Sequence, residues 1–190
     1  MELLSTILSI LLLLSMPMTG DSVDKEEQVL LPGQEAPKFF ANILNGGEFF
    51  LSRKVGARAR AGKKGPVAFS FFTTSCIPCR KEIPHIIDLQ EKYPDVDFYL
   101  FNVGDDPKLV DKYVKKMNFT LPVCLDRWGM VAKKFNASVT PAFVIINAEG
   151  IVTFFKKGFH EGDEKIIEKH IRALFPEKYP QVEEAGEGNG

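Results

Sequence analysis

Residues 67–82 read VAFSFFTTSCIPCRKE. Val67 to Phe72 is an apolar run of one strand's length, the pattern of a strand buried on both faces. Cys76 to Tyr93 then reads as a helix, with Ile83, Ile86, Ile87 and Leu89 in a helical stripe and Pro84 expected to kink it. A pair of cysteines three residues apart therefore stands where a buried strand hands over to a helix. On a first helical turn that spacing places both sulfurs on one face, within disulfide reach. The first cysteine meets unpaired backbone N–H groups and the positive end of the helix dipole. Such sites lower a thiol's pKa, into a range of about 3.5–7.5, and Arg80 and Lys81 add positive charge. These features make Cys76 the attacking thiol and Cys79 the shielded, resolving one. Pro78 is tolerated because no hydrogen bond is lost at a helix start. Two other readings stay open. A structural bridge would close only a very small loop, and zinc would want a second ligand pair where the only other cysteine is Cys124.

Outward from this stretch, strands and helices alternate. Phe39–Leu44 and Glu48–Leu51 flank Asn45-Gly46-Gly47 as a β-hairpin. Residues 53–64 carry six basic side chains and no acid, a solvated loop or a docking patch for an acidic partner or anionic membrane. Downstream come a strand at Val96–Val103, a helix at Pro107–Met117, a short strand at Pro122–Leu125 and a short helix at Trp128–Phe135. Two strands follow, Ala142–Asn147 and Ile151–Phe155, joined by a turn, and Asp163–Phe175 is a closing helix. This order predicts an α/β layered fold with a mixed sheet. Thr140-Pro141 stands directly before a strand, where proline is tolerated and where a cis peptide is possible. Cys124, between Val123 and Leu125, reads as a buried inert thiol, and Trp128 as a structural residue. His85, His160 and His170 have no metal spacing among themselves.

The chain has 190 residues, 45% of them hydrophobic, including 16 Phe, with a formal net charge of −1. That suits one domain with an aromatic core and argues against a nucleic-acid partner, which would leave a basic footprint. Leu3–Leu14 is apolar but shorter than the about 20 residues of a membrane span. Residues 1–20 are therefore expected to be a signal peptide or a membrane anchor. Residues 21–31 are expected to be a flexible lead-in, and 176–190 a flexible acidic tail.

Together the run Val67 to Glu82, the later Thr140-Pro141 and the strand–turn–strand after it resemble the thioredoxin superfamily. Within it, Pro32-Gly33-Gln34-Glu35-Ala36-Pro37-Lys38-Phe39 is similar to the leading segment shared by peroxiredoxins and exported TlpA/ResA-type thiol–disulfide oxidoreductases, the AhpC/TSA-related group. Phe101 to Asp106 and Phe119 to Asp126 resemble that group's extra helix and strand, and Lys157-Gly158-Phe159 also fits. The likeness spans about residues 32–175. It implies a thioredoxin-like fold with an N-terminal β-hairpin and an inserted helix–strand, and an enzyme acting through a Cys76–Cys79 redox disulfide without cofactor or metal. It also implies a cis Pro141, and a substrate groove formed by Ile77, Pro78, Thr140 and Pro141. Glu82 matches an acidic position used near the active site of the ResA type. It lies three residues past Cys79 and could move the resolving thiol's proton, or could be a solvated helix residue. The implied partners are disulfides in exported proteins, apocytochrome c before haem attachment among them, with electrons from a membrane protein. The place of action is extracytoplasmic, in the periplasm or on the outer face of the membrane. Departures are Ser70, where thioredoxin has a buried Asp, and Ser75, where it has Trp. Two further readings are a peroxidase, since Thr73 lies three residues before Cys76, and a copper-binding assembly factor, whose C-x-x-x-C spacing is one residue longer.

Overall fold

The computed structural model describes residues 32–180. The segments expected as a signal or anchor and a lead-in, and the tail from residue 181, lie outside the described residues. Among the described residues no helix is long and apolar enough to cross a membrane.

Seven strands form one mixed sheet: β1 (Phe40–Ile43), β2 (Glu48–Phe50), β3 (Val67–Phe72), β4 (Asp97–Val103), β5 (Val123–Asp126), β6 (Ala142–Ile146) and β7 (Val152–Lys157). Their order across the sheet is β2-β1-β5-β4-β3-β6-β7. The helices are α1 (Cys79–Lys92), α2 (Pro107–Met117), α3 (Met130–Lys134) and α4 (Asp163–Arg172). β3 runs parallel to β4 and antiparallel to β6. All six of its residues are fully buried, because helices cover both faces of the sheet around it. Alternate side chains serve the two layers. Phe69 and Phe71 join an aromatic cluster with Phe39, Phe101 and Phe135; the Phe69 ring lies 4.9 Å from Phe101 and 5.2 Å from Phe135. Ala68 and Phe72 face the other layer with Ile83 and Ile86 of α1 and Ile167 and Ile171 of α4. Each buried Phe contributes about 1.5–3 kcal/mol relative to exposure, so the phenylalanines are the main reason the sheet holds.

The inserted β5 ties the hairpin to the rest of the sheet. It pairs in parallel with β4 and antiparallel with β1, where Ile43 faces Cys124. Asn45, Gly46 and Gly47 all have positive φ, so the hairpin turn requires the residue types found there.

Several boundaries differ from the sequence expectation. α1 begins at Cys79 rather than Cys76, because Pro78 lacks an N–H and disfavours helical geometry at Ile77. The closing helix stops at Arg172. The fold continues to Pro180, beyond the expected limit at 175: the Tyr179 ring packs 4.9 Å from Tyr93, and Lys178 pairs with Asp95. Residues 176–180 are therefore part of the domain, anchored by an aromatic contact that composition does not show.

Cys124 is fully buried, and burial pushes its thiol up to about 12. After reduction at pH 8, an alkylating reagent should label Cys124 only when denaturant opens the sheet. Cys124→Ala should fold at a cost of about 1 kcal/mol, measured by urea titration. Labelling of Cys124 in the native protein at the rate of a free thiol would contradict this placement.

Candidate active site

The chain leaves β3 at Phe72 and reaches α1 through six residues, Thr73 to Pro78. Cys76 and Cys79 are joined in a disulfide with their Cα atoms 5.4 Å apart. Cys79 is wholly buried, Cys76 is 8% exposed, and Ile77 between them is 67% exposed. Cys76 is thus the more accessible sulfur, although the oxidised pair covers most of it. The Cys79 N–H donates to Cys76 Sγ at 3.2 Å. In the reduced protein the same N–H would meet negative charge on that sulfur at the positive end of α1. The Arg80 guanidinium lies 6.0 Å from the centre of the Tyr113 ring.

Two bonds hold the loop before Cys76. The Cys76 N–H donates to the Thr73 carbonyl at 3.2 Å. The Thr74 N–H donates to Asp105 Oδ2 at 2.7 Å, and the same oxygen accepts from Asn102 Nδ2 at 2.8 Å. Asp105 follows β4, so the end of one strand fixes the loop leaving its neighbour.

Glu82 is 1% exposed, which rules out the solvated reading. Its carboxylate accepts from Ser70 Oγ at 2.5 Å. Burial pushes Glu82 up to about 7, and the negative charge of Asp163 adds to the rise; the Ser70 hydrogen bond and the charge of Lys156 oppose it. Lys156 and Asp163 form an ion pair of 2.9 Å. The sheet register explains the grouping: Ser70 of β3 faces Phe143 of β6, which faces Lys156 of β7. Ser70 replaces thioredoxin's buried acid as a hydroxyl that binds an acid delivered by the helix.

The Thr140–Pro141 peptide is cis. Phe71 faces Ala142 in the β3–β6 ladder, so Pro141 enters level with Phe72, just where β3 turns toward Cys76. The Pro141 carbonyl accepts from the Gly158 N–H at 2.7 Å. Of the residues singled out in the sequence, Cys76, Ile77, Pro78 and Cys79 follow the end of β3, Pro141 stands level with that end with Thr140 before it, and Glu82 packs against Ser70 within the strand. Sequence reading missed Asp105, whose partner is a backbone N–H 31 residues away. Trp128, read as structural, is 80% exposed instead.

Comparison with known proteins agrees with this geometry. The AhpC/TSA family profile matches residues 32–155. The thiol–disulfide oxidoreductase ResA of Geobacillus kaustophilus is 29% identical over 153 residues, 80% of this chain and 82% of that protein. ResA of Bacillus subtilis is 31% identical over 122 residues, 63% of this chain and 64% of that protein. Among solved structures, a secreted Mycobacterium tuberculosis disulfide oxidoreductase aligns with a TM-score of 0.59 and 22% identity, covering 71% of this chain and 95% of that one. A thioredoxin-family thiol:disulfide interchange protein of Chlorobium tepidum aligns at 0.59 and 22%, covering 76% and 97%. With a thioredoxin-like sheet, a cysteine pair at the head of α1 and a family match over residues 32–155, the chain belongs to the AhpC/TSA family.

Proposed function

We propose that this thiol–disulfide oxidoreductase reduces disulfides in exported proteins, with Cys76 attacking and Cys79 resolving. The observation that carries the reading is the bonded Cys76–Cys79 pair, with Cys79 sealed in the core and Cys76 toward solvent. In the reduced enzyme, Cys76 thiolate attacks one sulfur of a substrate disulfide. A Cys76–substrate bond forms, the substrate S–S bond breaks, and one substrate sulfur leaves as thiolate. Cys79 then loses its proton, attacks Cys76 Sγ and expels the second substrate thiolate. Two electrons pass to the substrate, and the enzyme is left with its own disulfide. Return to the dithiol needs a dithiol donor, which the resemblance to the ResA type assigns to a membrane protein. Ile77, Pro78, Thr140 and Pro141 line the approach to Cys76, and Thr140 offers backbone to an extended substrate.

Glu82 serves as the proton acceptor for Cys79. It lies three residues further along α1, on the same helix face, and its carboxyl titrates near the working pH. The apolar run Leu3–Leu14 and the resemblance to exported oxidoreductases support an extracytoplasmic place of action. Residues 32–180 are the working domain in this reading, and 1–20 its export signal or anchor.

The reduction potential of the Cys76–Cys79 pair tests the direction. Equilibration with dithiothreitol or glutathione should give a value nearer thioredoxin's about −270 mV than the about −120 mV of a strong oxidant. A value at the oxidising end would reverse the proposal.

Cys79→Ala should accumulate Cys76-linked mixed disulfides, visible as reducible adducts on a gel, because no thiol resolves them. Cys76→Ala should give none; adducts from that variant alone would exchange the two roles.

Glu82→Gln should slow resolution about 100-fold and abolish a rate increase through about pH 7. The same group sets a stability trend. Its folded value of about 7 lies above the ordinary 4.5, so its contribution to stability is complete below pH 4.5 and is lost as pH rises through 7. Denaturant titrations at pH 5 and pH 8 should show that loss in the parent and not in Glu82→Gln. An unchanged pH profile in the variant would remove Glu82 from the mechanism.

A further inference from the structure

Trp128 is the one tryptophan of the chain, and leaving 80% of it in water is costly unless something covers it. Phe40 and Met130 beside it are 62% and 59% exposed. The three border a groove of about 650 Å³ that reaches Pro107. Its rim is cationic: the Arg127 guanidinium lies 5.4 Å from the Trp128 ring and Lys134 lines the groove, as does Lys38, which is 3.9 Å from the Glu35 carboxylate. The acid in the lining, Asp126, is buried and accepts from the Ala132 N–H at 2.7 Å.

The groove lies along the same edge of the sheet as the cysteines. β3, β4 and β5 are parallel, so the residues after their C-terminal ends share one edge. Cys76 follows β3, Asp105 follows β4 and Trp128 follows β5. Pro141 opens antiparallel β6 at that edge too. Strands are about 4.8 Å apart, so the end of β5 is about 10 Å from the end of β3. The groove's Phe39, Ala41 and Val131 belong to the core layer on one face of the sheet and Cys76 and Cys79 to the other, so a segment reaching from groove to cysteines passes over the end of the sheet. Pro107 joins the two places, lining the groove two residues after the aspartate that holds the Cys76 loop.

We propose that the Trp128 groove docks the polypeptide that carries the substrate disulfide, gripping an extended segment with aromatic and acidic side chains a few residues from the bond to be reduced. The proposal rests on Cys76 as the attacking thiol and adds a specificity surface to it. Charge favours this occupant over a second copy of the chain. A symmetric pairing of the groove with itself would set Arg127, Lys38 and Lys134 against their own counterparts, which opposes association. Exposed Trp and Arg beside an apolar floor are also the side chains that dominate binding at protein interfaces.

The test uses the full chain and three disulfides: 2-hydroxyethyl disulfide, a bridged peptide with a Phe/Glu-rich flank, and one with a Ser/Lys-rich flank. Trp128→Ala should raise KM for the Phe/Glu peptide at least about tenfold with kcat preserved, and leave 2-hydroxyethyl disulfide turnover unchanged. Arg127→Glu should shift preference toward the Ser/Lys peptide. In a Cys76→Ala/Cys79→Ala chain, which turns nothing over, the Phe/Glu peptide should still shift the emission of the lone tryptophan to the blue. Equal losses on all three disulfides, or no emission shift, would overturn the proposal. So would a dimer in sedimentation that Trp128→Ala dissociates without changing KM. A parent protein that fails on 2-hydroxyethyl disulfide while the emission shift persists would instead count against the reductase reading and leave the docking surface standing.

Discussion

The burial of β3 on both faces is the constraint from which the site follows. Six consecutive residues without solvent contact require a layer above and a layer below, and require neighbours on both edges to satisfy the backbone. β4 and β6 supply the edges. The phenylalanine cluster supplies one layer, and α1 with α4 the other. Once the strand is fixed, the chain leaving Phe72 has one exit, at the end of the sheet. A disulfide that joins the first residue of α1 to the cysteine three residues before it lies at that exit, with Cys79 in the core and Cys76 the nearer of the two to solvent.

The same burial sets the environment of Glu82. An acid on the inward face of a helix against such a strand is held near neutrality by loss of water. Ser70 compensates in part, as the one polar residue of β3, with a hydroxyl aimed at the carboxylate. The Lys156–Asp163 pair sits in the same layer and pulls in both directions, Lys156 favouring the charged acid and Asp163 the neutral one. The group that titrates near pH 7 is therefore set by residues from β3, α1, β7 and α4 together.

Much of this could be read from the sequence, and the reason is local. An apolar run followed by two cysteines and a helical stripe depends on neighbours within a few turns, so the strand, the helix and the close cysteine pair were legible, as was the alternation that makes a mixed sheet. Long-range partners were not. Nothing near Ser70 announces Glu82, and nothing near Thr74 announces Asp105. Trp128 was misread because a lone tryptophan usually buries itself, and only the fold shows that it stands in solvent just beyond the C-terminal end of β5. The domain end was misjudged for a related reason: Tyr179 belongs to the core through Tyr93, which lies 86 positions earlier in the chain.

Asp105 ties the insert to the chemistry. A single carboxylate oxygen accepts both the Thr74 N–H and the Asn102 amide, so the turn that launches α2 is also the clamp on the redox loop. The segment from α2 to β5 is then mechanically continuous with Cys76. Relatives that lengthen, shorten or re-angle this segment would move the clamp, and through it the backbone beneath the Cys76 sulfur. Variation in the insert thus offers a way to retune one dithiol without altering any residue of the C-x-x-C itself.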